Sequence, residues 1–184
     1  MLLHKLYFWL TVLFFISIMA CTVDRKAPAV NTREYGFEIQ MPGEVFATTD
    51  TMDYKGESFT RYTWKSVEEM SNGEKIYYNF ILIDFPSTLI HSDSVGRSQL
   101  LFNDHEQVFF SNAQYCLVDR ADLYRNGYPG SFYIWNNLSD NSYTCSYYYL
   151  VENKLYYMMV HIPSWKSEYL TKRDEFTNSF KVLK

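Results

Sequence analysis

The chain has 184 residues, 17 Lys and Arg against 21 Asp and Glu, and an aromatic content of 19%. That length suits one domain with its own core, and the mild acid excess lacks the basic face that a nucleic-acid partner needs. The charge argues equally against electrostatic docking on anionic lipid, while the Tyr, Phe and Trp content favours pleated, half-buried strand surfaces.

Residues 1–5 carry one firm positive charge, Lys5, and residues 6–20 (LYFWLTVLFFISIMA) are almost wholly apolar. A charged start followed by an apolar run is the pattern of a secretory signal. The run is shorter than the roughly 20 residues that a spanning helix requires. Its end, Ile18-Met19-Ala20-Cys21, resembles the lipobox of bacterial lipoproteins. The resemblance implies cleavage before Cys21 and lipid on its thiol, which holds the protein on a membrane. A mature lipoprotein usually carries three acyl chains. Each buried CH₂ contributes roughly 0.8 kcal/mol, so such an anchor holds stably. Removing residues 1–20 would leave 16 Lys and Arg against the same 21 acids. Thr22, rather than Asp, follows the cysteine. In Gram-negative lipoproteins that implies sorting to the outer membrane. Residues 22–33 (TVDRKAPAVNTR) are polar, aperiodic and free of aromatics, so they read as a flexible tether. They can reach about 40 Å when extended.

The globular part, residues 34–184, begins with clean alternation. Phe37, Ile39 and Met41 share one face of a strand over 35–41, and Pro42-Gly43 ends it. Residues 44–56 read as a loop. Within it Asp50-Thr51-Met52 resembles the D-[S/T]-apolar O-glycosylation motif of some envelope-exporting bacteria, with Thr51 as acceptor. Asp93-Ser94-Val95 has the same form, although Asp93 equally suits a helix cap. Residues 57–65 form a second extended segment, and 74–85 (EKIYYNFILIDF) a long strand. That strand is apolar on both faces near Ile81 to Ile83 and so belongs inside the sheet.

A helix follows over 92–110, with Val95, Leu101, Phe102, His105, Val108 and Phe109 on one stripe. Four more strands are expected at 115–123, 131–135, 143–151 and 155–162, the last two joined by a tight turn at Glu152-Asn153. A final helix covers 164–182, with Tyr169, Arg173, Phe176 and Phe180 at helical spacing. Grouped strands that do not alternate with helices indicate α+β with a central antiparallel sheet and helices packed on its faces. Cys116 and Cys145 fall on strands that this order separates by one strand. That is too far for a disulfide, so two buried free thiols are expected.

Four segments resemble PsbP-like proteins, in register from residue 37 to residue 180. They are FEIQMPGEV (37–45), Gly127-Tyr128-Pro129-Gly130, Asn153-Lys154-Leu155-Tyr156 with the strand after it, and Phe176-Thr177-Asn178-Ser179-Phe180. The resemblance implies an α/β/α sandwich around an antiparallel sheet. It implies no reaction, since that family is dominated by binding and assembly factors. The chain departs from it at Ser131, where an acid is usual.

Motifs of catalysis are sparse. His91, His105 and His161 lie in three different elements, and neither H-E-x-x-H nor C-x-x-C occurs, so no metal site or cofactor is expected. Asp104-His105-Glu106 is adjacent in sequence but spread around a helix. Cys116 or Cys145 with His161 would be a Cys–His pair, but both thiols sit in aromatic strands where thiols are usually inert. Glu68/Glu69 and Asp119/Asp122 read as solvated faces. No G-x-S-x-G or phosphate loop is present.

The sequence therefore points to a non-enzymatic envelope lipoprotein that binds a protein partner or assists an assembly. The alternative is a glycan- or peptide-binding module that uses the ring faces of Trp64, Trp135 and Tyr148. A hydrolase would need buried acids or His in a pocket.

Overall fold

A computed structural model describes residues 35–54, 56–93 and 97–183. The signal segment, Cys21 and the tether lie outside the described residues, as does Val95. The elements in chain order are β1 (Phe37–Glu38), β2 (Val45–Tyr54), β3 (Glu57–Glu69), β4 (Lys75–Asp84), α1 (Arg97–Phe110), β5 (Tyr115–Arg125), β6 (Tyr128–Asn137), β7 (Ser142–Val151), β8 (Lys154–Ile162), α2 (Ser167–Ser179) and β9 (Lys181–Val182). Seven strands form one antiparallel sheet in the order β2-β3-β4-β8-β7-β6-β5, and β1 and β9 form a separate two-stranded ribbon.

This inventory corrects the expected fold class. The described protein is mostly β, with helix confined to two short segments, and is not a helix-rich α+β sandwich. Three local effects account for the difference. Ser92 and Asp93 lie in a turn, so α1 is shorter than the apolar stripe suggested. The chain leaves the helical region at Phe180 (φ −66°, ψ 129°), and the residues after it pair with β1. Residues 45–54 are a ten-residue strand, matched residue for residue with β3. Their periodicity is weak because β2 is an edge strand, exposed along most of its length, with Val45 and Ala47 packed on one core and Met52 on the other, so neither face carries a sustained apolar alternation. Its threonines still favour extended backbone. The first expected strand, 35–41, shrinks to Phe37–Glu38.

The interior strands behave as their sequences suggest. β4 lies between β3 and β8. It buries Ile76, Tyr78, Phe80 and Leu82 on the face under α2 and Ile83 on the face under α1. β5 to β8 form a meander. Cys116 and Cys145 are free and separated by β6, but only Cys145 is buried, since Cys116 lies on the exposed edge strand.

The turn between β5 and β6 is built as its residues allow. Asn126 (φ 54°) and Gly127 (φ 86°) form a two-residue turn with both residues left-handed, which suits the twist of a hairpin. Gly130 serves a different purpose. A Cβ there would overlap the Tyr148 carbonyl oxygen and come within 2.7 Å of the Tyr149 ring. Gly130→Ala is expected to cost about 1–3 kcal/mol through overpacking, read as a lower denaturant midpoint at an unchanged slope. Arg125 then ties this hairpin to the end of α2. Its guanidinium donates to the Phe180 carbonyl at 2.7 Å and the Thr177 carbonyl at 3.3 Å, and it lies over the Tyr149 and Phe180 rings.

Candidate functional site

Three features could carry function: a buried carboxyl under α1, a cleft at one end of the sheet, and a rim of exposed apolar side chains at the other.

The carboxyl belongs to Glu106, which has no exposed surface. Phe102, Glu106 and Phe109 fall at i, i+4 and i+7, so the helix turns the acid onto the sheet together with its apolar neighbours. Trp135 Nε1 on β6 donates to Glu106 Oε2, and the Tyr148 hydroxyl on β7 donates to Oε1. The Tyr148 and Tyr157 rings stack at 4.3 Å, and Tyr157 Oη lies 3.4 Å from Ser146 Oγ. Toward the start of α1, the Tyr133 hydroxyl donates to Asn103 Oδ1 at 3.2 Å, and Ser131 Oγ donates to Gln99 Oε1 at 3.4 Å. Burial pushes the Glu106 carboxyl up to about 7, against hydrogen bonds from Tyr148, Trp135 and Ser146 that favour its charged form. Burial also raises the Tyr148 hydroxyl and lowers the His105 imidazole. The arrangement fastens helix to sheet through satisfied polar groups. It is closed to solvent at the acid itself and presents no reacting atom to a substrate.

The cleft lies where the Asn126-Gly127 and Glu152-Asn153 turns meet the β1–β9 ribbon. Its volume is about 360 Å³, and its lining includes Gly36, Tyr128, Glu152, Lys154 and Tyr156. Gly36 lies at the start of the described chain.

The opposite end differs. Strand register places Val67, Tyr77, His161, Thr144, Trp135 and Leu117 in one row across six strands. At or beyond this row stand Val67, Tyr77, Phe110, Leu138 and Trp165, each exposed. Phe110 packs edge-on against Trp135 at 4.8 Å, and Trp165 packs against Tyr143 at 5.0 Å. Phe46 and Val118, also exposed, lie near the same end on the two edge strands. Among the exposed large apolar side chains of the described residues, only Leu100 and Tyr124 stand outside this grouping.

The residues singled out in the sequence are placed as follows. Trp64, Trp135 and Tyr148 are 4%, 1% and 1% exposed, so they are core residues and offer no ring face to a glycan. They do not even share a face, since Trp64 packs in the α2-side core and the other two in the α1-side core. Thr51 is exposed, but on strand β2 opposite Thr60, not in a loop. Cys145 and His161 point to opposite faces, Cys145 toward Arg173 of α2 and His161 sharing its row with Trp135, so no Cys–His pair forms. His91 lies beside Asp93 at 3.3 Å, and His161 Nδ1 is 3.2 Å from Thr144 Oγ1. Among the described residues no three His, Cys, Asp or Glu side chains gather as a metal site. Glu68 pairs with Lys172 at 2.9 Å and accepts from the Tyr78 hydroxyl at 2.8 Å, while Asp119 and Asp122 are exposed on β5. In sequence Glu106 stands out only as part of the Asp104-His105-Glu106 triplet, which hides its inward position. Its spacing from Phe102 and Phe109 was the signal that places it inside.

No family model matches the chain, and no curated relative does. The structure is similar to the solution structure of cyanobacterial PsbP (CyanoP) from Synechocystis sp. PCC 6803. The two are 15% identical with a TM-score of 0.48, over 81% of this chain and 88% of that one. That degree of likeness describes a shared outline and does not make the chain a member of the family its motifs resemble.

Proposed function

We propose that this protein is a lipid-anchored envelope protein that acts by binding a protein partner at the end of the domain away from its anchor. The observation that carries this reading is the uneven distribution of exposed apolar side chains. Val67, Tyr77, Phe110, Leu138 and Trp165 stand at one end of the sheet, while Gly36, where the tether joins, lies at the other. Exposed apolar surface of this kind marks interaction sites on soluble domains, and aromatic side chains are enriched in them. Cys21, the candidate for lipidation, precedes Tyr35 by a stretch long enough to hold the domain clear of a membrane. The expected location is the outer membrane of a Gram-negative bacterium, from Thr22 after the cysteine.

The test is affinity capture after crosslinking in intact cells, comparing wild type, Cys21→Ala and the pair Val67→Glu with Tyr77→Glu. One protein partner captured by wild type and lost in both variants is expected. Equal capture by the Val67→Glu/Tyr77→Glu protein would overturn the assignment of the distal end. Soluble fractionation of wild type with Cys21 unlipidated would overturn the anchor.

A further inference from the structure

We propose that the domain pairs with a second copy of itself through the outer edge of β5, in a register centred on Ala121. This inference is independent of the partner-binding reading.

β5 bonds to β6 on one side only, and residues 118–122 are exposed. The direction of its free backbone groups follows from the turn. Arg125 and Tyr128 close the two-residue turn and form a hydrogen-bonded pair. Alternation along the ladder then turns the backbone groups of Ala121 toward β6 and those of Arg120, Asp122 and Tyr124 outward, where the Arg120 N–H donates to Asp119 Oδ1 at 2.8 Å, a bond that strand pairing would replace. Side chains follow the same alternation. Arg120 is paired with Tyr133 and Asp122 with Ser131, and both partners meet α1, so Arg120 and Asp122 share one face.

Two copies related by a two-fold axis perpendicular to the sheet keep their faces on the same sides. Only residues of the same face can then stand opposite each other. Centring the axis on Ala121 puts the smallest side chain of the strand opposite itself. It sets Arg120 opposite the second copy's Asp122, and Asp122 opposite its Arg120. Opposite charges directly across antiparallel strands stabilise the pair, and like charges oppose it. Shifting the axis by one residue, to Arg120, would set that guanidinium against itself. The same charges discourage pairing with strands of other sequence, which is how exposed edges are normally guarded. The bulge between Leu117 and Asp119 limits the ladder to the residues that follow it.

The experiment uses the full chain in its cell, with Cys116→Ser to remove the exposed thiol and Ala121→Cys to place a thiol on the axis. Across a non-hydrogen-bonded antiparallel pair the Cα atoms lie close enough for a disulfide. A covalent dimer on a non-reducing gel is expected. Adding Arg120→Asp should reduce it at least about fivefold, since that change sets two acids opposite each other. Adding Asp122→Arg as well should restore it. Thr51→Cys, on the other edge strand, should give no comparable dimer. A monomeric Ala121→Cys protein, a dimer indifferent to Arg120→Asp, or an equal dimer from Thr51→Cys would each overturn the proposal.

Discussion

Raising the pH from 5 to 8 is expected to cost the wild-type domain about 2 to 3 kcal/mol of stability relative to a Glu106→Gln variant. The folded state holds the Glu106 proton more tightly than the unfolded chain does, because burial lifts the carboxyl from an ordinary 4.5 to about 7. The stability that this proton supplies is complete below pH 4.5 and is lost as the pH rises through 7. Gln removes the titration while keeping the geometry. Its amide oxygen accepts from Trp135 Nε1, and the Tyr148 hydroxyl can rotate to accept from the amide nitrogen. His105 and His161, both held below their ordinary value by burial, act with the opposite sign. They favour the folded state as pH rises through the imidazole range. Both proteins contain them, so the difference between wild type and variant isolates Glu106. Denaturant midpoints that converge toward low pH, with wild type falling away progressively between about pH 4.5 and 7, would bear out the buried acid. Parallel profiles would show that Glu106 does not hold a proton in the folded state.

Phe80→Ala is expected to destabilise the domain by about 3–5 kcal/mol, the range for emptying a buried aromatic site. Phe80 stands on β4 between two paired strands and has no exposed surface. Its ring centre lies 4.5 Å from Phe37, 5.7 Å from Trp64 and 5.7 Å from Phe180. Those partners come from β1, β3 and the end of α2, so the cavity would loosen both chain ends where they meet the sheet. A melting temperature lower by roughly 10 °C should accompany the loss, with Phe80→Leu retaining most of the stability. A change within 1 kcal/mol for Phe80→Ala would place the centre of this core elsewhere.

The sequence was most legible where burial is two-sided. β4 is an interior strand and reads as such from its continuous apolar residues, and the turn at 126–127 carries Asn and Gly, which tolerate left-handed backbone. It was least legible at the edge. β2 has threonines and aspartates on both faces, and nothing in its pattern distinguishes a strand paired on one side from a loop. The aromatic residues divided along the same line. Trp64, Trp135 and Tyr148 drew attention as binding residues because of their chemistry, yet burial is decided by which strand position they occupy. Trp135 and Tyr148 combine the two, spending their polar atoms on Glu106 inside the core. The distal rim was not legible at all, since Val67, Tyr77, Phe110, Leu138 and Trp165 come from five separate segments that only the strand register brings to one end.

Site-specific photo-crosslinking in intact cells tests the central claim most directly. A photoreactive residue would replace Tyr77, Leu138 or Trp165 at the distal end, or Tyr128 beside the proximal cleft. The expected result is one protein adduct of constant size from the three distal positions and none from Tyr128. Adducts from Tyr128 alone, or the same adducts from both ends, would contradict the proposal that this anchored domain engages its partner with the end turned away from the membrane.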